Sequence, residues 1–199
     1  MLTTNERLQE QLDFLAEIDK LKNVFRQTWL LDTDRKENDA EHSWHLGVYA
    51  MLLLEHAADD HLDLLRVIKM VLIHDLVEID AGDTYAYDEA GIATQTKREL
   101  EAAERVFGML PPDQAAELRA LWDEFELRRS PEARYAAALD RVQPFLHNYL
   151  TKGKAWREHG VTSDQVLARC RPIGDGVPAL WRLVQDLVQD AVARGWLGE

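Results

Sequence analysis

The chain is short of several things at once, and each shortage excludes a class of protein. It has a single cysteine, Cys170, so no disulfide can close within it, and this usage fits a reducing compartment. No stretch approaches the roughly 18 apolar residues of a membrane span. The opening MLTTNERLQEQLDF has neither the basic region nor the apolar block of a signal peptide. Cations are scarce too: 23 Lys and Arg stand against 36 Asp and Glu, a formal net charge of -13. Such a surface repels polyanions, which argues against long DNA or RNA as a partner. A single nucleotide stays possible, because one phosphate needs only a local cation. Alternating strand patterns, repeats of fixed period and low-complexity linkers are also missing. The expectation is a cytoplasmic enzyme or binding protein for a small molecule, with no membrane association.

What is present is a helical period almost throughout. With 199 residues and 46% hydrophobic content, the chain can bury one sizeable core, so residues 1–199 are read as one domain. Leu8, Leu12, Leu15, Leu21 and Phe25 mark one face of a first helix, with Thr3 and Glu6 spaced as a capping box. A loop, LDTDRKEND, precedes a second helix that Asp39 can cap. A third runs through LDLLRVIKMVLIHDLVEID, is apolar nearly all round, and is therefore expected at the centre. AGDTYAYDEAG reads as a loop, and TQTKRELEAAERVFGML as an exposed, charged helix. PPDQAAELRALWDEFELRR and SPEARYAAALDRVQPFLHNYL each begin with proline in the first turn, the second behind Ser130. KGKAWREHG reads as a loop or short turn, and two last helices start near Thr162 and Val177. The fold class is all-α, with about eight helices.

The acids in these apolar helices need an explanation. In VLIHDLVEIDAGD, Glu78 follows His74 by four and Asp75 by three, so a helix turns all three toward one cavity. His42 shares a stripe with Leu46, Tyr49 and Leu53. Asp140 interrupts the stripe of Tyr135, Leu139, Val142 and Leu146. Each alone has an ordinary explanation: a core histidine, a chance dipeptide, an aspartate paired with Arg141 or Arg134. Together they bring histidine nitrogens and carboxylate oxygens into one core, where unpaired polar groups are costly. That donor set suits one divalent ion such as Mn²⁺, Co²⁺, Fe²⁺, Zn²⁺ or Mg²⁺.

The order His42, His74-Asp75, Asp140 resembles the H…HD…D signature of the HD-domain superfamily of metal-dependent phosphohydrolases. RKENDAEHSWH, LIHDLVEIDAGD and ALDRVQPFLHNYLTKGKAWREHGV are similar to its 5′-deoxynucleotidase branch and close relatives. The resemblance runs roughly from Leu21 to Val161. It implies an all-helical homodimer that uses a divalent metal to hydrolyse the phosphate ester of deoxynucleoside 5′-monophosphates. It also implies His42, His74, Asp75 and Asp140 as ligands of that metal and Glu78 as the acid that handles the attacking water. Asp83 would lie near the sugar and help select deoxyribose. Arg26 resembles the family's substrate arginine, with Trp29 beside the substrate; a well-known branch has these two adjacent, whereas FRQTWLL separates them here. There is no extra histidine pair between Asp75 and Asp140 of the kind found in dinuclear HD phosphodiesterases, so a single metal ion is expected.

His45 is expected to pack near the site, His147 to cap or pack, and His56, His61 and His159 to face solvent, as do Lys152 and Lys154. Trp122, Trp156, Trp181 and Trp196 are read as core or interface residues, and the C-terminal helix with Trp181, Leu187, Val188 and Trp196 as a dimer surface. Two other functions fit the same motifs. A phosphodiesterase or nucleoside triphosphatase would keep the metal and change the pocket; a triphosphatase needs several basic residues converging on the phosphates, and few candidates are visible. A metal-stabilised binding module would close the ion's coordination, whereas a catalytic site leaves it open.

Overall fold

The computed structural model describes residues 2–199, Glu89 by its backbone alone. Helix α1 (Glu6–Ile18) is capped by Asn5, whose side chain accepts from the Leu8 amide, not by Thr3. Its expected inner face is only partly inward. Phe14 and, in the tight turn that follows, Leu21 are buried, while Leu8, Leu15 and Phe25 remain exposed. The helix ends too early to keep one face over so many residues. Phe25 instead opens a short hairpin absent from the sequence reading: β1 (Phe25–Trp29) pairs antiparallel with β2 (Lys36–Asn38). Strands this short cannot display a period of two.

Helix α2 (Asp39–Leu52) starts one residue earlier than expected, with Asn38 and Glu41 forming a reciprocal capping box. The shift releases the Asp39 side chain from capping. The central segment is broken into three pieces. Helix α3 (Leu64–Ile73) gives way to a tighter three-residue-per-turn helix over His74–Val77, then to α4 (Glu78–Ala81) and Gly82 at φ 73°. Burial is also one-sided, since Leu65 and Leu72 are exposed.

Helix α5 (Glu89–Phe107) starts inside the stretch expected as a loop, behind an Asp88 cap, and buries Ala102, Ala103, Val106 and Phe107 under its charged face. Helices α6 (Pro112–Leu127) and α7 (Pro131–Leu150) open with proline as read, the latter behind a Ser130 cap. The stretch read as a loop after α7 holds a short helix, α8 (Lys154–His159), flanked by Gly153 and Gly160 in left-handed conformations. Then come α9 (Ser163–Cys170), capped by Thr162, α10 (Ile173–Gly176) and α11 (Pro178–Ala193).

Helix α7 joins two apolar clusters. Tyr135, Ala136, Ala138 and Leu139 belong to the one built with α1–α6, and Val142 and Phe145 to the one built with α8, α9 and α11. Asp140 and Arg141 lie at the seam. Val188 is buried in the second cluster, and Trp181, Leu187 and Trp196 pack against it while staying partly exposed. No helix is long and apolar enough to cross a membrane among the described residues.

Candidate metal centre

The site is assembled from the hairpin, α2, the tight turn after α3, α4 and α7. His42, His74, Asp75, Glu78 and Asp140 are all buried and lie together. His42 Nε2 is 3.0 Å from Asp140 Oδ1, and His74 Nε2 is 3.0 Å from Asp75 Oδ1 and 3.7 Å from Asp140 Oδ1. One donor atom from each of His42, His74 and Asp75 falls within 4.8 Å of the others. The tight turn contributes directly: at three residues per turn, Asp75 and Glu78 are stacked on one face.

Hydrogen bonds behind the two imidazoles decide which nitrogen faces inward. His74 Nδ1 is 3.0 Å from the Val71 carbonyl, which can only accept, so the proton sits on Nδ1. His42 Nδ1 is 2.9 Å from Gln143 Oε1, and Gln143 Nε2 donates to Glu37 Oε1 at 2.6 Å. That amide orientation again places the imidazole proton on Nδ1. Both Nε2 lone pairs therefore point at carboxylate oxygens, an arrangement of acceptors facing acceptors that only positive charge can hold together. His74 Nε2, Glu78 Oε2 and Asp39 Oδ2 are buried without a hydrogen-bond partner. The residues fit a divalent cation.

The electrostatics agree. Burial, helped by Arg26, lowers His42 to about 3, so its ring is neutral, as a ligand must be. Burial opposes charge on His74 as well, yet Asp75 and Asp140 lift it to about 9, so a second proton, on Nε2, supplies the positive charge that a bound cation would replace. Burial pushes Asp75 upward against His74 and Arg26, and pushes Glu78 well upward with the help of Asp75, Asp39 and Asp83. Burial acts on Asp140 too, but Arg141 and the two histidines hold it well below the usual carboxylate range.

Other expected residues are placed differently from one another. Arg26 Nη1 bridges Asp39 at 3.0 Å and Asp75 at 2.9 Å. Asp83 lines the cleft in front of the centre. Trp29 does not line it: its Nε1 donates to Glu158, and Lys154 Nζ sits 3.4 Å from its ring centroid. His147 is buried and packs against the Trp29 carbonyl and Gln143, while His45 lies between Trp44 and Tyr49. His56, His61 and His159 are exposed.

The cleft has two lobes that share Arg26, Asp83, Thr84, Asp140, Arg141 and Arg169. The polar lobe, about 190 Å³, holds His74, Asp75 and Glu78 and reaches Arg128. The other, about 90 Å³, is walled by Tyr85, Tyr87, Phe145 and Trp156. Glu37, Gln143, Arg128 and Arg169 carry no sequence signal of their place here, whereas Arg141 makes the pairing with Asp140 weighed from the sequence, buried rather than at the surface. Asp39, which the sequence alone offers as the helix cap, is instead bound to Arg26. A capping box led by Asn38 was the available signal for releasing it.

The chain matches the family model described as HD domain over residues 18–181. It is 32% identical over 136 residues to human 5′-deoxynucleotidase HDDC2, covering 68% of this chain and 65% of that protein. It is 27% identical over 135 residues to 5′-deoxynucleotidase hdd1 of Schizosaccharomyces pombe, covering 65% and 66%. It thus spans just under two thirds of the length of these curated relatives. A crystal structure of a "predicted metal-dependent phosphohydrolase" from Magnetospirillum magnetotacticum MS-1 superposes with a TM-score of 0.94, at 51% identity over 100% of both chains. The HD domain-containing protein YGK1 shares the fold, with a TM-score of 0.54 at 19% identity over 92% of this chain and 86% of that one. With the family match running through every element that carries a cleft residue from Arg26 to Arg169, the chain belongs to the HD domain family.

Proposed function

We propose that the protein is a metal-dependent phosphomonoesterase that hydrolyses deoxynucleoside 5′-monophosphates to deoxynucleoside and phosphate. The observation that carries this reading is the convergence of two Nε2 lone pairs with Asp75 and Asp140 at one end of a two-lobed cleft. His42, His74, Asp75 and Asp140 would hold one divalent ion, with Mn²⁺, Co²⁺, Fe²⁺, Zn²⁺ and Mg²⁺ all compatible with the donor set. When bound, the ion would supply Lewis-acid polarisation of a phosphoryl oxygen and acidify a water in the cleft.

The chain's own residues supply the rest. Glu78 Oε2 is buried and unpartnered, and burial beside Asp75, Asp39 and Asp83 raises its pKa well above the usual carboxylate range, which strengthens it as a proton acceptor. Arg26, locked between Asp39 and Asp75, fixes the orientation of Asp75 and offsets local negative charge. Asp83, at the junction of the lobes, is positioned to hydrogen-bond a sugar hydroxyl, and a polar site of this kind rejects a mismatched hydroxyl strongly. The aromatic lobe offers the nucleoside apolar walls. The names of the HDDC2 and hdd1 relatives support the same substrate class.

A homodimer and a cytoplasmic location belong to this reading as well. The exposed Leu8 and Leu15 of α1, beside a groove lined by Leu12, Leu110 and Leu118, give the dimer a candidate surface, and a monomer in sedimentation at micromolar concentration would remove it. A second reading draws on one observation: four arginines line the cleft, where few were expected, which favours substrates with more than one phosphate. The test is phosphate release from deoxynucleoside and ribonucleoside mono-, di- and triphosphates and from diesters, with Mg²⁺, Mn²⁺ or Co²⁺. Release from 5′-deoxynucleoside monophosphates is expected; hydrolysis of diesters or triphosphates alone would overturn the proposal.

A further inference from the structure

Three arginines in the cleft have no part in the mechanism so far. Arg128 comes from the end of α6, Arg141 from α7 and Arg169 from α9, and all three line the polar lobe. Arg141 is buried and donates to Asp140 Oδ2. Arg128 has a buried Nε with no hydrogen-bond partner. Its backbone is left-handed, φ 50° and ψ 36°, a conformation that L side chains rarely adopt and that often marks a functional position. Arg169 is open to the cleft and enters no ion pair among the described residues. Burial and then Arg141 pull Arg128 below the ordinary guanidinium value. Asp140 is the counter-ion of Arg141, while Arg128 and Arg169 form no ion pair among the described residues.

Glu99 and Glu126 line the same lobe as Arg128, with the Gln95 amide donating to Glu99. Arg141 and Arg169 line both lobes, so an anion held by them lies between the metal centre and the aromatic walls. A tetrahedral phosphoryl group carries enough charge and enough oxygens to engage several guanidinium forks at once.

We propose that Arg128, Arg141 and Arg169 form a phosphoryl-binding subsite of the cleft. This rests on the phosphohydrolase reading above. The group it holds is either the scissile phosphoryl of a monophosphate or a further phosphate attached to it. Arg141 and Arg169 line both lobes and Arg128 the polar one alone, so a second phosphate would extend toward Arg128.

The test titrates inorganic phosphate and pyrophosphate into metal-loaded protein by calorimetry, and measures hydrolysis of a deoxynucleoside mono- and diphosphate. Arg169→Gln is expected to weaken phosphate binding at least tenfold and to raise KM more than it lowers kcat, with metal content unchanged. Arg169→Lys, which keeps the charge without the fork, should recover part of the loss. If Arg128→Gln weakens pyrophosphate alone, the subsite takes a second phosphate; if it weakens both probes, the three arginines grip the scissile group. Wild-type affinity for both probes in Arg128→Gln and Arg169→Gln would overturn the subsite. Wild-type protein that binds the probes but hydrolyses no nucleotide would leave the subsite standing and overturn the function.

Discussion

Gln143 controls what His42 can do. It accepts the Nδ1 proton with its carbonyl and anchors its amide on Glu37, which turns Nε2 toward Asp140 and the proposed metal centre. Replacing it with leucine removes that choice without altering a ligand. Gln143→Leu is expected to reduce metal affinity by roughly 10–100-fold, the usual worth of a partner behind a ligating histidine, measured by titrating metal into chelator-treated protein. Glu78 should behave oppositely. Glu78→Gln is expected to cut turnover by about 10²–10⁴-fold and to keep metal content, whereas Asp75→Asn should lose metal. Near-normal turnover in Glu78→Gln would end its proposed role. The residues brought together at the centre, His42, His74, Asp75, Glu78 and Asp140, were legible because each breaks an apolar stripe. Gln143 and Glu37 were not, since a neutral amide in a helix carries no signal of what it touches 101 residues away. Arg128 and Arg169 were illegible for a similar reason: three helices unrelated in sequence bring them together with Arg141.

Among the elements, the long helices were legible from their period and their Ser130, Pro112 and Pro131 starts, and the short ones were not. The hairpin and the tight turn at His74–Val77 are too brief to display any period, yet they carry Arg26 and two of the proposed ligands. The start of α2 shows how much one residue can matter. Because Asn38 takes the cap, Asp39 becomes a buried carboxylate bound to Arg26. Asn38→Ala should cost about 1 kcal/mol, as loss of a helix cap commonly does. In a chain of 199 residues that lowers the melting temperature by roughly 2–4 °C. Differential scanning calorimetry checks it, and an unchanged melting temperature would show that the box contributes nothing.

For the whole molecule, the two apolar clusters meeting at α7 leave the lone thiol deep in the second. Burial raises Cys170 to about 12. An unfolded thiol ionises near roughly 8.5, so between that pH and about 12 the unfolded chain alone releases the proton. Any stability linked to this group therefore falls as pH rises through that window. At pH 8 the native thiol should react with Ellman's reagent far more slowly than the denatured one; equal rates would place Cys170 at an accessible surface.

The pairing of His42 with Asp140 across 98 residues also has a consequence in time. At about 5–20 residues per second during synthesis, the first of these histidines waits roughly 5–20 s before the aspartate exists. A nascent chain therefore has no complete centre with which to choose an ion, and selection falls to the nearly finished fold. In the full-length chain, closing a loop of 98 residues is costly before the surrounding helices pack, so we expect these contacts to form after the transition state and to act on the unfolding limb. Metal is accordingly expected to slow unfolding in denaturant while leaving the refolding rate almost untouched, as stopped-flow fluorescence of the tryptophans can show. Refolding that speeds up in proportion to added metal would mean that the ion guides the chain from the start.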